Sequence, residues 1–141
     1  MVDCVFKNSS EVLEAFRRNK NNTEIEVLYL NYLDDMTDEI LEEILEIVAS
    51  SASDNLFHLQ LMQLGLVTRI PEAVKLLKNL QILYIGHMNR IQILPAGYIV
   101  SNNLSSVALN YLGNLSVIEP GAFQGKILQE QEQYIDDILH S

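Results

Sequence analysis

The apolar positions of this chain recur in a fixed spacing. Leu56, Leu59, Leu61, Leu64, Val67 and Ile70 are closed by Pro71, and Leu80, Leu83, Ile85, Met88, Ile91 and Leu94 are closed by Pro95. Leu104, Val107, Leu109, Leu112, Leu115 and Ile118 follow, with the proline one place later at Pro120. These units begin about 24 residues apart, a period that marks a repeat architecture. An earlier unit opens the same way with Ile25, Leu28, Leu30 and Leu33 but is lengthened by residues 37–51. There Ile40, Leu41, Ile44, Leu45 and Val48 fall at helical spacing, and Asp38 and Glu39 lie in the first turn, where the helix dipole favours negative charge.

The L-x-L centre of each unit predicts a short strand whose two apolar residues point the same way, because strand side chains alternate. The later apolar positions bring the chain back over the same core. One unit cannot cover its own leucines, so neighbours must stack and the ends must be capped. Residues 11–18 read as an N-terminal helix with Val12, Leu13 and Phe16 on one face and Asn8 or Ser9 as the cap. Residues 128–139 read as a C-terminal helix, with Leu128, Gln131, Tyr134, Ile135, Ile138 and Leu139 along one stripe. The expected organisation is a single domain over 1–141: a helical cap over 1–24, about four repeats over 25–125 starting near 25, 56, 80 and 104, and a capping helix over 126–141.

Over residues 25–125 the chain resembles the leucine-rich-repeat family, and Ile-Glu-Pro-Gly-Ala-Phe-Gln-Gly at 118–125 is similar to the ending of extracellular animal members. The resemblance implies an α/β fold: a right-handed solenoid with a short parallel sheet on its concave face, helices and turns on its convex face, and helical caps. It also implies a scaffold that binds proteins. Two departures stand out. The cysteine-rich flanking caps of extracellular members are missing, and Leu64, Met88 and Leu112 occupy the seat where many members place an inward asparagine. The turns of these units must therefore be satisfied by other groups.

On the concave face, the positions alternating with the leucines are open to serve function. The central column reads Tyr29, Gln60, Tyr84, Ala108, and the next Asn31, Met62, Gly86, Asn110. Beyond them come Tyr32, Gln63, His87 and Tyr111, and upstream lie Val27, His58, Ile82 and Ser106. None of these residues is charged. Tyrosine among uncharged polar neighbours is the composition of protein-interface centres, so Tyr29, Tyr32, His58, Gln60, Met62, Tyr84, His87, Asn110 and Tyr111 are the candidate partner-binding residues. The alternative is that these tyrosines only shield the sheet and pack on one another. Tyr84, central in the row, is the expected principal anchor.

Composition narrows the partner. The net charge of −10, from 9 Lys plus Arg against 19 Asp plus Glu, opposes nucleic acid and anionic lipid, and no apolar run is long enough for direct membrane insertion. A protein ligand is the expected partner, and oligomeric state is left open. The single cysteine, Cys4, rules out an intrachain disulfide and a multi-cysteine metal site. His58 and His87 have no third ligand on their face, and Asp34, Asp35 and Asp38 lack the spacing of a calcium loop, so neither metal nor cofactor is expected. No nucleophile–base pairing or phosphate loop is present, and an enzyme is not expected. The glycines read as turn residues using their backbone freedom.

Four Asn-x-Ser/Thr sequons occur, at Asn8, Asn21, Asn103 and Asn114, and Asn8 is set aside as a helix cap. Their number favours an extracellular route for the chain over the cytoplasm, with Asn21, Asn103 and Asn114 as glycan sites. The opening residues lack a secretory signal, which leaves either a cytosolic protein or one whose signal has been removed. A secreted or cell-surface recognition module is thus the leading expectation, and a cytosolic adaptor or a non-catalytic subunit of a larger complex the alternative.

Overall fold

The computed structural model describes residues 2–3, 8–96, 99–100 and 104–124, with backbone alone for 2–3, 99–100 and 123–124. Cys4, Asn103 and the expected C-terminal helix over 128–139 lie outside the described residues. The fold is mixed α/β. Strands β1 (Val2–Asp3), β2 (Val27–Leu33), β3 (His58–Leu64), β4 (Ile82–Gly86) and β7 (Ser106–Asn110) form one parallel sheet in the order β1-β2-β3-β4-β7. Two shorter parallel pairs join β5 (Ile93–Leu94) to β8 (Val117–Ile118) and β6 (Ile99–Val100) to β9 (Phe123–Gln124). Helix α1 (Ser9–Arg18) follows β1, and α2 (Asp38–Ala52) connects β2 to β3. No described helix is long and apolar enough to cross a membrane.

The sequence units pair in phase. Leu28, Leu59, Leu83 and Val107 lie side by side across the sheet, as do Leu30, Leu61, Ile85 and Leu109. Parallel strands of equal spacing put like residues together, so each layer of the core repeats the last. Every apolar repeat position from Ile25 to Leu94 is buried. Val107 and Leu109, expected to be buried with them, are only half-buried, because β7 has a neighbouring strand on one side alone among the described residues. The central column Gln60, Tyr84 and Ala108, expected to be exposed, is half-buried as well. Side chains on adjacent strands shield one another there.

Both helices start one or two residues from where their spacing put them, each for a local reason. Asn8 Oδ1 accepts the Glu11 N–H at 2.9 Å, so α1 begins at Ser9. Thr37 Oγ1 accepts the Ile40 N–H at 3.3 Å, which makes Thr37 the cap of α2 rather than its first residue. Leu41, Ile44, Leu45 and Val48 form the buried stripe of α2, and Val12, Leu13 and Phe16 that of α1. The helices lie against each other, and Arg17 grips Glu43 through two bonds of 2.7 and 3.0 Å. The segment 1–24, read as a purely helical cap, also adds β1 to the sheet, with Val2 opposite Leu28.

The turns left without an inward asparagine are closed by the backbone. The carbonyls of Leu33, Leu64, Met88 and Leu112 accept the N–H three residues on, from Met36, Val67, Ile91 and Leu115, at 2.9–3.4 Å. Between units, one carbonyl receives two successive N–H groups at each strand entry: Glu26 from Phe57 and His58, Phe57 from Gln81 and Ile82, Gln81 from Ser105 and Ser106. Asparagine reappears outside the core. Asn55 donates to the Thr23 carbonyl, Asn79 to the Asp54 carbonyl at 2.8 Å and Asn114 to the Asn89 carbonyl at 2.6 Å. Asp38 and Glu39 lie in the first turn of α2, as expected, and the acids near this helix also act between units. Asp35 accepts the Ser9 N–H at 3.0 Å, and Asp38 accepts the Thr68 N–H at 2.9 Å and pairs with Arg69 at 3.2 Å.

Gly65 lies in a turn, as expected, but the expected reason, backbone freedom, does not hold there, and Gly86, read with the turn glycines, is the last residue of β4. A β-carbon at Gly65 would sit 2.2 Å from the Asp34 carbonyl oxygen, so the position needs glycine because two backbones approach closely. At the corresponding Gly113 the nearest atom would be Asn89 Oδ1 at 3.4 Å, an ordinary contact. Gly65→Ala should therefore cost about 2–3 kcal/mol as an overpacking defect, whereas Gly113→Ala should change stability by less than about 1 kcal/mol. Urea midpoints of the two variants check this, and equal values would mean that the Gly65 contact is absent. In the same assay Leu83→Ala should lose about 2–5 kcal/mol, as for a buried leucine, and Val107→Ala clearly less. Equal losses would place both in one closed core.

Candidate functional site: the uncharged sheet face

The strands alternate between buried and half-buried residues, so the sheet has one core face and one accessible face. On the accessible face the candidate residues fall into two groups. At the strand entries Tyr29 meets His58 edge-on, with ring centroids 5.2 Å apart, and Phe57 tilts against the same imidazole at 6.4 Å. Burial among these rings lowers the pKa of His58 below its ordinary value, which favours the neutral imidazole. Beside them Gln60 Nε2 donates to Asn31 Oδ1 at 3.2 Å. Met62 lies half-buried opposite Gly86.

Tyr84 sits centrally, between Gln60 and Ala108 in the register, but its ring does not stand up from the sheet. A β-carbon on Gly86 would lie 2.8 Å from Tyr84 Cε1 and 2.9 Å from its hydroxyl oxygen. The ring therefore lies along the strand over the glycine, covering backbone that has no side chain of its own. This is the shielding role weighed against binding in the sequence, and it applies to Tyr84 in particular.

The second group lies at the strand exits. His87 stacks on Tyr111, with centroids 4.4 Å apart and planes 13° from parallel, and the His87 N–H donates to the Asn110 carbonyl at 3.1 Å. Tyr32 belongs to the same row two strands away, separated by Gln63. Tyr32 is 65% exposed and Tyr111 is 71% exposed, the most open large apolar side chains among the described residues. Tyr32, Gln63, His87 and Tyr111 all have positive φ, at 59°, 51°, 53° and 56°. Of these residue types only histidine is enriched in left-handed backbone; tyrosine and glutamine do not announce it, and glycine and asparagine adopt it more readily. The signal that could have found it is the spacing. Leu61 and Leu64 both point inward, three residues apart, which an unbroken strand of period two cannot do. One residue between them must leave the extended conformation.

His58 opens β3 and His87 follows the end of β4, so the two histidines lie at opposite ends of their strands. Among the described residues no three His, Cys, Asp or Glu side chains converge on a point where a metal could sit. A separate surface groove, not anticipated in the sequence, is lined by Thr68, Arg69, Asn89, Arg90, Ile93 and Asn114. Its arginines are offset by Glu119 on its wall and by the pairing of Arg69 with Asp38. Of the sequons, Asn21 is exposed in the turn after α1, whereas the Asn114 amide, though accessible, is engaged with the Asn89 carbonyl. Comparison of the chain with protein-family models, with curated proteins and with solved structures finds no match.

Proposed function

We propose that the chain is a leucine-rich-repeat solenoid acting as a non-enzymatic recognition module, which binds a protein partner through the concave, tyrosine-bearing face of its sheet. Support for the architecture comes from the repeat itself, from the in-phase pairing of like residues on successive strands, and from the backbone-closed turn repeated in four units. The observation that carries the binding reading is the chemistry of the accessible face. In a chain of net charge −10 that face presents no Lys, Arg, Asp or Glu along β2, β3, β4 and β7, the strands that carry the candidate residues, yet it leaves Tyr32 and Tyr111 largely exposed. Charged residues are depleted and aromatic ones enriched at the centres of protein interfaces, because a charge is costly to desolvate and a ring is not. The anchors of this reading are Tyr32 and Tyr111, with Tyr84 as a floor beneath the partner.

A secreted or cell-surface setting follows from the sequons, with Asn21 as the best-placed acceptor. The same face would serve a cytosolic adaptor, a reading favoured by the use of the Asn114 amide within the fold. Expression through a secretory pathway with an added signal separates the two. The extracellular reading expects a glycan on Asn21 by intact mass and by peptide mapping; a bare Asn21 in efficiently secreted protein would favour the adaptor.

A photo-crosslinking residue at position 111 tests the face, with one at position 46 on the outer side of α2 as its counterpart. The expected result is covalent capture of the partner from 111 and none from 46. Capture from 46 alone would place recognition on the helical side and reduce the tyrosines to sheet shielding.

A further inference from the structure

The accessible face is uncharged along β2, β3, β4 and β7, and β1 adds one charge to it. Val2 pairs with the buried Leu28 and Asp3 with Tyr29. Paired residues of a parallel sheet share a face, so Asp3 holds the accessible position beside Tyr29 while Val2 falls on the core side. Among the described residues β1 ends the sheet, which leaves Tyr29 as the lateral neighbour of Asp3.

The sheet offers this charge no cation. β2, β3, β4 and β7 contain no Lys or Arg, and their only imidazole is His58. His58 stands in β3, on the far side of β2 from Asp3, and burial among the neighbouring rings lowers its pKa and keeps it neutral. An aspartate in water needs no partner. One covered by a bound protein does, because lost hydration is offset only by an opposite charge or by hydrogen bonds. A partner lying on Tyr29 also covers the position of Asp3, and must bring that opposite charge with it.

Tyr29 attracts the same kind of group. On the β3 side its ring is bounded by His58, edge-on at 5.2 Å, with Phe57 tilted against that imidazole at 6.4 Å. The side towards β1 is the side on which Asp3 stands. An ammonium or guanidinium group placed there meets a negative charge and an aromatic ring together, and the ring quadrupole attracts cations. The net charge of −10 draws a basic partner towards the chain before contact is made.

We propose that the β1–β2 end of the accessible face takes a Lys or Arg side chain of the protein partner, held between Asp3 and the ring of Tyr29. The inference rests on the reading of this face as a protein-binding surface and specifies the chemistry of what the partner places there.

The test titrates the full chain with the N-acetyl methylamides of lysine and arginine, with that of norleucine as the neutral control, following the ring resonances of Tyr29 and His58. It is repeated on Asp3→Asn, on Tyr29→Leu, and on Tyr29→Phe as the variant that keeps a ring. The expected result is saturable binding of a cationic probe about fivefold or more tighter than that of the norleucine probe. Asp3→Asn and Tyr29→Leu should each remove that preference, and Tyr29→Phe should retain it within about twofold. Asp3→Asn carries the decision if Tyr29→Leu fails to fold. No preference for the cationic probes, unchanged binding by Asp3→Asn, or shifts confined to the acidic outer side of α2 would overturn the proposal. If it is overturned while the partner still crosslinks from position 111, only the occupant is wrong; if the crosslink fails too, the recognition reading falls with it.

Discussion

Each unit has to return an apolar side chain to the core sooner than strand alternation permits. Leu61 points inward, so in an unbroken strand the next inward seat would be position 63, yet the residue that fills the core is Leu64. The same step separates Leu30 from Leu33, Ile85 from Met88 and Leu109 from Leu112. A single left-handed residue absorbs the difference, at 32, 63, 87 and 111. Much else follows from that one residue. It breaks the alternation of the strand, it throws its own side chain outward, and it precedes the carbonyl that accepts the N–H three residues later. The exposed row at the strand exits is therefore the outward consequence of how the core is filled.

Stacking supplies what an isolated unit lacks. A carbonyl at each strand entry serves two N–H groups of the following unit, and asparagines at 55, 79 and 114 reach back to the backbone of the unit before. The side-chain bonds lie at exposed positions, outside the apolar interior. The close approach of Gly65 to the Asp34 carbonyl shows how tightly the first two units are set against each other. The acids fit the same scheme. Asp35 and Asp38 bond to the units on either side, and Asp38 also stands in the first turn of α2.

The interior of the fold was legible because a repeating spacing of apolar residues has few structural solutions. Leu59 and Leu83 could be paired across strands before any coordinates, and α2 could be placed to within a residue of its Thr37 cap. What the spacing could not convey were features set by the units' mutual approach. The backbone contact at Gly65, the β1 strand beside Leu28 and the bonding of Asn55 and Asn79 all depend on neighbours that lie about one repeat or more away in sequence. For the candidate residues, what the sequence left open was how far each ring stands from the sheet. Tyr84 looked central by position, but its ring lies down over Gly86, a side-chain direction that alternation does not specify. Tyr32 and Tyr111 looked peripheral, and the kink makes them the most open rings of the face.

On the proposed reading, stability and recognition are separable, because the kink serves the core while the rings would serve the partner. One chain tests that separation most directly: a variant with glycine at all four kink positions, 32, 63, 87 and 111, examined for thermal unfolding and for capture of the partner. The account predicts a melting temperature equal to or above that of the parent, within a few degrees, together with loss of partner binding. A variant that unfolds well below the parent, or one that binds the partner undiminished, would contradict it.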